Sequence, residues 1–216
     1  MGFSWESHYA DGHWERGAYV GGEDMAEHLD AFLAFAGDVE SVASVGCGPA
    51  AAEFAVAARH PDVEFACVDA APAVVDANRE KARAEGVENV SFGVATLPDT
   101  GIDREFDVVY CMAVLYFVRD AEAALRELWR LAAPGGYVAF TYPNRRLQAW
   151  ARDLDDDEKR EAFSLVAAGE NLLTYDRIQD VLGVHPRSYW TAVDADPDAE
   201  YVTRTGSPAV YVRKPP

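Results

Sequence analysis

Two features of this 216-residue chain have the residue types and spacing to do chemistry. The first is Val42-Ala43-Ser44-Val45-Gly46-Cys47-Gly48-Pro49-Ala50, an apolar run that enters a glycine turn. Glycines let a backbone approach a ligand closely, and a helix that starts just after them offers free amides. The second is Asp69, 21 residues past Gly48 at the end of the next apolar run. An acid placed there can accept hydrogen bonds from both hydroxyls of a ribose. Each feature has a plainer alternative. The turn can join a strand to a helix with no ligand, and Asp69, followed by Ala70-Ala71-Pro72, can cap a helix. Together they point to a nucleotide-type cofactor, and by themselves they also fit a nicotinamide-dependent oxidoreductase.

The elements that must position these residues alternate between strand and helix. Met25, Leu29, Phe32, Leu33 and Ala36 fall at helical spacing and Gly37 stops the run. Ser41–Val45 is expected as a buried strand, with Pro49 at the first helical position of a helix reaching about His60. Val63–Val68 is a second strand ending on Asp69. Pro72 opens a helix that ends near Gly86, Val90–Val94 is a third strand and Phe106–Cys111 a fourth. The fourth is apolar almost throughout, as in a sheet covered on both faces. Asp120 caps a helix with Leu125, Leu128, Trp129 and Ala132 on one stripe. Pro134-Gly135-Gly136 is expected to end it before a fifth strand, Tyr137–Tyr142. Beyond Pro143, Asp155–Ala168 reads as one acidic helix, and Thr174 caps a short helix ending at Gly183. Two extended runs, Val184–Val193 and Ala209–Arg213, lack a crossover helix and are expected to pair antiparallel at one edge. The fold expected is α/β: a doubly wound, Rossmann-like sheet, mostly parallel with an antiparallel edge strand. The chain divides into an N-terminal helical cap (1–38), a cofactor-binding core (39–145) and a substrate wall with edge strands (146–216).

From residue 41 to about 145 the sequence resembles the class I S-adenosylmethionine-dependent methyltransferases. Val42–Ala50 is similar to the family's first motif and Asp69 to its second-strand acid, with Val74, Val75, Asn78 and Ala82 following. Phe106-Asp107-Val108-Val109-Tyr110-Cys111 with Val114-Leu115-Tyr116 resembles its fourth-strand motif. Leu131-Ala132-Ala133-Pro134-Gly135-Gly136-Tyr137-Val138 resembles its fifth-strand approach, and Leu173-Thr174 its late helix. The resemblance implies S-adenosyl-L-methionine as cofactor, held by Gly46, Cys47, Gly48, Asp69, Ala70 and Cys111. Two departures stand out. Ser44 occupies a position where the family often has an acid. Val94 stands where an acid often meets adenine, or the loop is one residue short; adenine would then rely on backbone near Ala95 and Thr96, or on Asp99. The resemblance also lets the N-terminal stretch, with His8, Tyr9, His13, Trp14, Arg16 and Tyr19, fold over the methionine end. There Arg16 could pair with the cofactor carboxylate; the alternative is an ordinary surface arginine.

Methyl transfer from a sulfonium needs alignment and exclusion of water more than acid–base groups, so no catalytic residue is assigned. Tyr142, Trp150 and Phe163 are candidates for the substrate wall. Cys111-Met112-Ala113-Val114 follows the fourth strand in place of an Asn-Pro-Pro-Tyr-type signature, which argues against methylation of adenine or glutamine amino groups. Composition narrows the partners further. Acids number 37 against 19 bases, a formal charge of −18, and they are spread along the whole chain. That distribution resembles proteins of salt-accumulating cells. Basic residues gather no further than pairs such as Arg145-Arg146, so nucleic acid is not an expected partner. No apolar run nears the ~18 residues of a membrane span, and the first residues lack a signal-peptide pattern. Cys47, Cys67 and Cys111 have no metal-site spacing, and the histidines form no cluster, so no metal is expected. A small-molecule acceptor in a reducing cytoplasm is the expectation, with oligomeric state unassigned. The alternatives are a non-catalytic S-adenosylmethionine-binding protein and an NAD-dependent oxidoreductase; against the latter, the only lysines are Lys81, Lys159 and Lys214.

Overall fold

A computed structural model describes residues 3–10, 24–199, 202 and 208–216. Seven strands form one sheet: β1 (Ser41–Val45), β2 (Glu64–Asp69), β3 (Val90–Val94), β4 (Phe106–Cys111), β5 (Ala132–Thr141), β6 (Arg187–Ser188) and β7 (Ala209–Arg213). Their order is β3-β2-β1-β4-β5-β7-β6. The pairs from β3 to β5 are parallel. The pairs β5–β7 and β6–β7 are antiparallel, as the missing crossover helix requires. Strand order reverses between β1 and β4, which opens a crevice beyond their C-terminal ends.

Both faces of the sheet are covered. Along β4, Val108 and Tyr110 enter one core with Leu29 and Phe32 of α2 (Met25–Ala36). The alternating Phe106, Val109 and Cys111 enter the other, with Leu125, Leu128 and Leu131 of α5 (Ala121–Leu131). This two-sided burial is why β1 and β4 read as continuous apolar runs.

Local chemistry sets the helix ends. Pro72 begins α4 (Pro72–Glu85) and Gly86, left-handed at φ 67°, closes it. Asp120 accepts the Ala123 N–H at 2.9 Å to start α5. Between β1 and β2 lies α3 (Ala51–Arg59), and α1 (Trp5–Ala10) precedes α2.

The structure corrects four expectations. Pro49 does not open a helix: Gly48 (φ 51°) and Ala50 (φ 52°) are left-handed, and α3 starts at Ala51. Pro134-Gly135-Gly136 lies within β5, since α5 stops at Leu131. A Cβ on Gly136 would lie 2.8 Å from the Asp107 carbonyl, so that strand contact requires glycine. The acidic helix is two helices, α7 (Asp157–Ala162) and α8 (Ser164–Ala168), broken at Phe163. The Phe163 ring packs 5.0 Å from both Phe117 and Trp150. An unforeseen helix, α6 (Arg145–Arg152), precedes them, started by Asn144 Oδ1 accepting the Arg146 and Leu147 N–H groups at 2.9 Å. Finally, Val184–Val193 is extended only at β6. Ser188 then caps α10 (Tyr189–Ala192), which buries Tyr189 against Phe32. The Thr174-capped helix is as expected, α9 (Tyr175–Leu182) closed by Gly183.

Candidate active site

The glycine turn stands at the C-terminal end of β1, and the neighbouring strand holds it. The Val68 carbonyl accepts the Gly46 N–H at 2.7 Å and the Cys47 N–H at 3.1 Å. Asp69 Oδ2 accepts the Gly48 N–H at 2.9 Å, and Asn78 Nδ2 donates to the Gly48 carbonyl at 2.7 Å. The turn amides expected to be free for a ligand are therefore engaged within the protein. The cause is the parallel register of β1 and β2, which carries Val68 and Asp69 alongside the turn.

The two glycines are required for different reasons. Gly46 has φ 75°, and a Cβ there would overlap the Val114 methyls from the loop after β4. Gly48 has φ 51°, and a Cβ there would sit 2.9 Å from the Tyr9 hydroxyl of α1. Packing within the protein thus already demands the glycines.

Asp69 is 7% exposed and accepts a second bond, from the Ala71 N–H at 3.0 Å. The side chain thus holds the glycine turn and the approach to α4, but it does not cap that helix, whose N-cap Ala71 has no side-chain cap bond. An ionised carboxylate offers roughly four acceptor positions, so each oxygen keeps capacity for one more donor. Burial raises its pKa, and the N–H groups of Ala71, Gly48 and Ala70 pull it back down. This acceptor set fits a group that presents two hydroxyls.

Sequence reasoning missed Glu53. This α3 residue is 4% exposed and accepts a 2.6 Å hydrogen bond from the Ser44 hydroxyl. Burial raises its pKa, against the Ser44 bond, which lowers it. Ser44 thus lacks the acid itself but carries one on its hydroxyl, delivered by the following helix. The signal was present in the sequence as a Glu within an otherwise apolar helix face.

The other expected residues fall around the same edge. Ala70 follows β2, and Val94, paired with Asp69 across β2 and β3, is 52% exposed. The Ala95 N–H donates to the Asp69 carbonyl at 3.0 Å and so is not a free donor, and Thr96 bridges Asp99. Cys111 ends β4, fully buried, with its thiol pKa pushed up by burial. The Cys47 thiol is also raised, by its hydrogen bond with Cys67 and then by burial, so neither is an activated nucleophile. Just past Cys111, Ala113 is left-handed at φ 59° and its N–H donates to Thr141 Oγ1 at 2.7 Å. Arg16, His13, Trp14 and Tyr19 lie outside the described residues.

Helix α1 bridges the crevice walls. Glu6 Oε2 accepts the Ala73 N–H of α4 at 3.0 Å, Trp5 packs 4.7 Å from Phe117, and His8 lies 3.3 Å from Glu158 of α7. Asn171 Nδ2 donates to the carbonyls of Leu115, Tyr116 and Val118, which fixes the turn that carries Phe117. Of the expected wall residues, Tyr142 is buried and lines a crevice of about 540 Å³ beyond β5. Phe163 instead packs edge-on against both Phe117 and Trp150. Among the described residues no group of three His, Cys, Asp or Glu could hold a metal, and no helix is long and apolar enough to cross a membrane.

A mostly parallel sheet with a glycine turn and a strand-end acid at its switch point defines a nucleotide-cofactor α/β fold. Residues 43–138 match the family model described as a methyltransferase domain. The chain is 32% identical over 100 residues to trans-aconitate 2-methyltransferase of Methylobacterium radiotolerans, covering 46% of this chain and 36% of that protein. It is 32% identical over 126 residues to norajmaline N-methyltransferase of Rauvolfia serpentina, covering 56% and 42%. The chain spans less than half the length of these curated relatives. In fold it is similar to the plantazolicin methyltransferase BamL in complex with SAH and a triazolic desmethylPZN analog. That match has a TM-score of 0.67 and 12% identity over 96% of this chain and 90% of the other.

Proposed function

We propose that the chain transfers a methyl group from S-adenosyl-L-methionine to a small-molecule acceptor. The observation that carries this reading is the pairing of the Gly46-Cys47-Gly48 turn with Asp69 at the switch point, inside the segment that matches the family. When bound, the cofactor supplies a methyl on a positively charged sulfur. The chain's residues bind and orient. Asp69 accepts the ribose hydroxyls with the capacity its backbone bonds leave. Exposed Val94, beside backbone near Ala95 and Thr96, gives the adenine an apolar seat. Glu53, held on the Ser44 hydroxyl, and Asp69 supply two buried carboxyl groups beside the turn. Gly46, Cys47, Gly48, Ala70 and Cys111 shape the floor, while α1 covers the crevice and excludes water. Arg16 is proposed to meet the cofactor carboxylate.

Within this reading 1–38 caps the site, 39–145 holds the cofactor and 146–216 walls the acceptor. A small-molecule acceptor is supported by the acceptors in the relatives' names and by acids spread over the chain, which disfavour nucleic acid. A reducing cytoplasm is supported by three buried free thiols. The test is transfer of tritium from methyl-labelled cofactor to a fractionated cell extract. Label should appear in the acid-soluble small-molecule fraction. Label confined to nucleic acid or protein would contradict the proposed acceptor class.

A further inference from the structure

The crevice beyond β5 is chemically unlike the rest of this molecule. Buried Tyr142, Leu173 and Trp190 form apolar walls, and Arg145 and Arg146 stand exposed at its edge. No described lining residue is Asp or Glu, in a chain that has 37 of them. Several arginines elsewhere pair with acids: Arg59 with Glu27 and Asp30, Arg104 with Glu64, Arg130 with Glu127 and Arg177 with Glu122. Among the described residues Arg145 and Arg146 make no ion pair. Asn144 fixes them as the first two residues of α6, and both line the crevice.

The crevice also adjoins the site of methyl transfer. Tyr142 directly follows Thr141, whose hydroxyl takes the Ala113 N–H at the end of β4. The next residue, Val114, packs onto Gly46 of the cofactor turn. An acceptor in the crevice therefore lies one strand from Cys111 at the end of β4 and two strands from the glycine turn after β1. A volume of about 540 Å³ is within the roughly 300–1,000 Å³ of small-molecule sites.

We infer that the methyl acceptor is an amphipathic organic oxyanion, a carboxylate or a phosphate ester. Its charge lies on Arg145 and Arg146 and its apolar body between Tyr142 and Trp190. A planar guanidinium pairs two-pronged with either oxyanion, and the apolar walls take the body. Thr174 and Ser188, which also line the crevice, supply hydroxyls for the remaining oxygens. This assignment of the acceptor rests on the methyl-transfer reading, but the anion site itself does not.

The test uses the full chain loaded with S-adenosylhomocysteine, at the lowest KCl concentration at which circular dichroism shows it folded. The probes are trans-cinnamate, cinnamyl phosphate and the neutral cinnamamide, titrated by calorimetry. At least one of the two anions is expected to bind at least about tenfold more tightly than the amide. Which of them binds tells a carboxylate acceptor from a phosphate one. The double variant R145Q/R146Q should lose that preference while keeping its melting temperature and its S-adenosylhomocysteine affinity. The R145K/R146K variant should keep part of it. Equal binding of anions and amide, binding of neither anion, or an unchanged preference in R145Q/R146Q would overturn the inference. If the wild type takes up no S-adenosylhomocysteine yet binds the anions through these arginines, the methyl-transfer reading fails and the anion site stands. If it binds the cofactor product but shows no anion preference, this inference alone fails.

Discussion

The Gly48 N–H donates to Asp69 Oδ2 at 2.9 Å, so the acid at the end of β2 holds the turn at the end of β1. One carboxylate thereby shapes the turn and, through the Ala71 N–H, the approach to α4. Asp69→Ala should reduce both stability and cofactor affinity. Each buried N–H left unpaired, on Gly48 and Ala71, costs about 1–3 kcal/mol. Loss of charged acceptors for the ribose should weaken S-adenosylmethionine binding at least about tenfold. Asp69→Asn keeps one acceptor oxygen and should lie between. Thermal melts and calorimetry on the same samples check this. Lost stability with unchanged affinity would reduce Asp69 to a structural role.

Glu127 gives a pH dependence of stability. The Arg130 guanidinium beside it, with Thr100, holds its carboxyl at about 2, against an ordinary value of 4.5. The folded pKa lies below the unfolded one, so the stabilisation is complete above the unfolded value and fades as pH falls toward the folded one. With Arg130 partly in solvent, the contribution is about 1–3 kcal/mol. Urea unfolding should show Glu127→Gln less stable than wild type by that amount at about pH 6, with the gap closing toward about pH 3. A gap that stays constant with pH would contradict the ion-pair account.

The formal charge of −18 makes salt a structural variable. Screening extends about 30 Å at 0.01 M salt and about 3 Å at 1 M, so repulsion among dispersed acids fades only at high salt. The melting temperature is expected to rise steadily with KCl, followed by circular dichroism. An unchanged melting temperature between dilute and molar KCl would dismiss adaptation to salt.

Much of this architecture was legible in the residues. β1 and β4 have the boundaries their apolar runs predict, because strands buried on both faces leave an unbroken signal, and the edge strand β3 matches too, with alternating burial. Pro72, Gly86, Asp120 and Thr174 set helix ends through local bonds that need no tertiary context. Where distant packing decides, the pattern failed. Phe163 breaks an acidic helix because its ring is drawn to Phe117 and Trp150. Tyr189 sits in a short helix because its ring packs on Phe32, 5.0 Å away. At the candidate site, Gly48 and Asp69 were legible by spacing, but their mutual bond was not. Gly46 appeared to make room for a ligand, whereas Val114 fills that space. Glu53 escaped notice because its partner, Ser44, lies on another element.

The central claim is that the turn at Gly46–Gly48 and Asp69 hold S-adenosylmethionine. Calorimetric titration of the folded chain in high salt with S-adenosylmethionine, S-adenosylhomocysteine and NAD(H) tests it directly. The account predicts saturable binding of the first two, weakened at least about tenfold in Asp69→Ala, and no binding of NAD(H). Binding of NAD(H) with none of S-adenosylmethionine would contradict it.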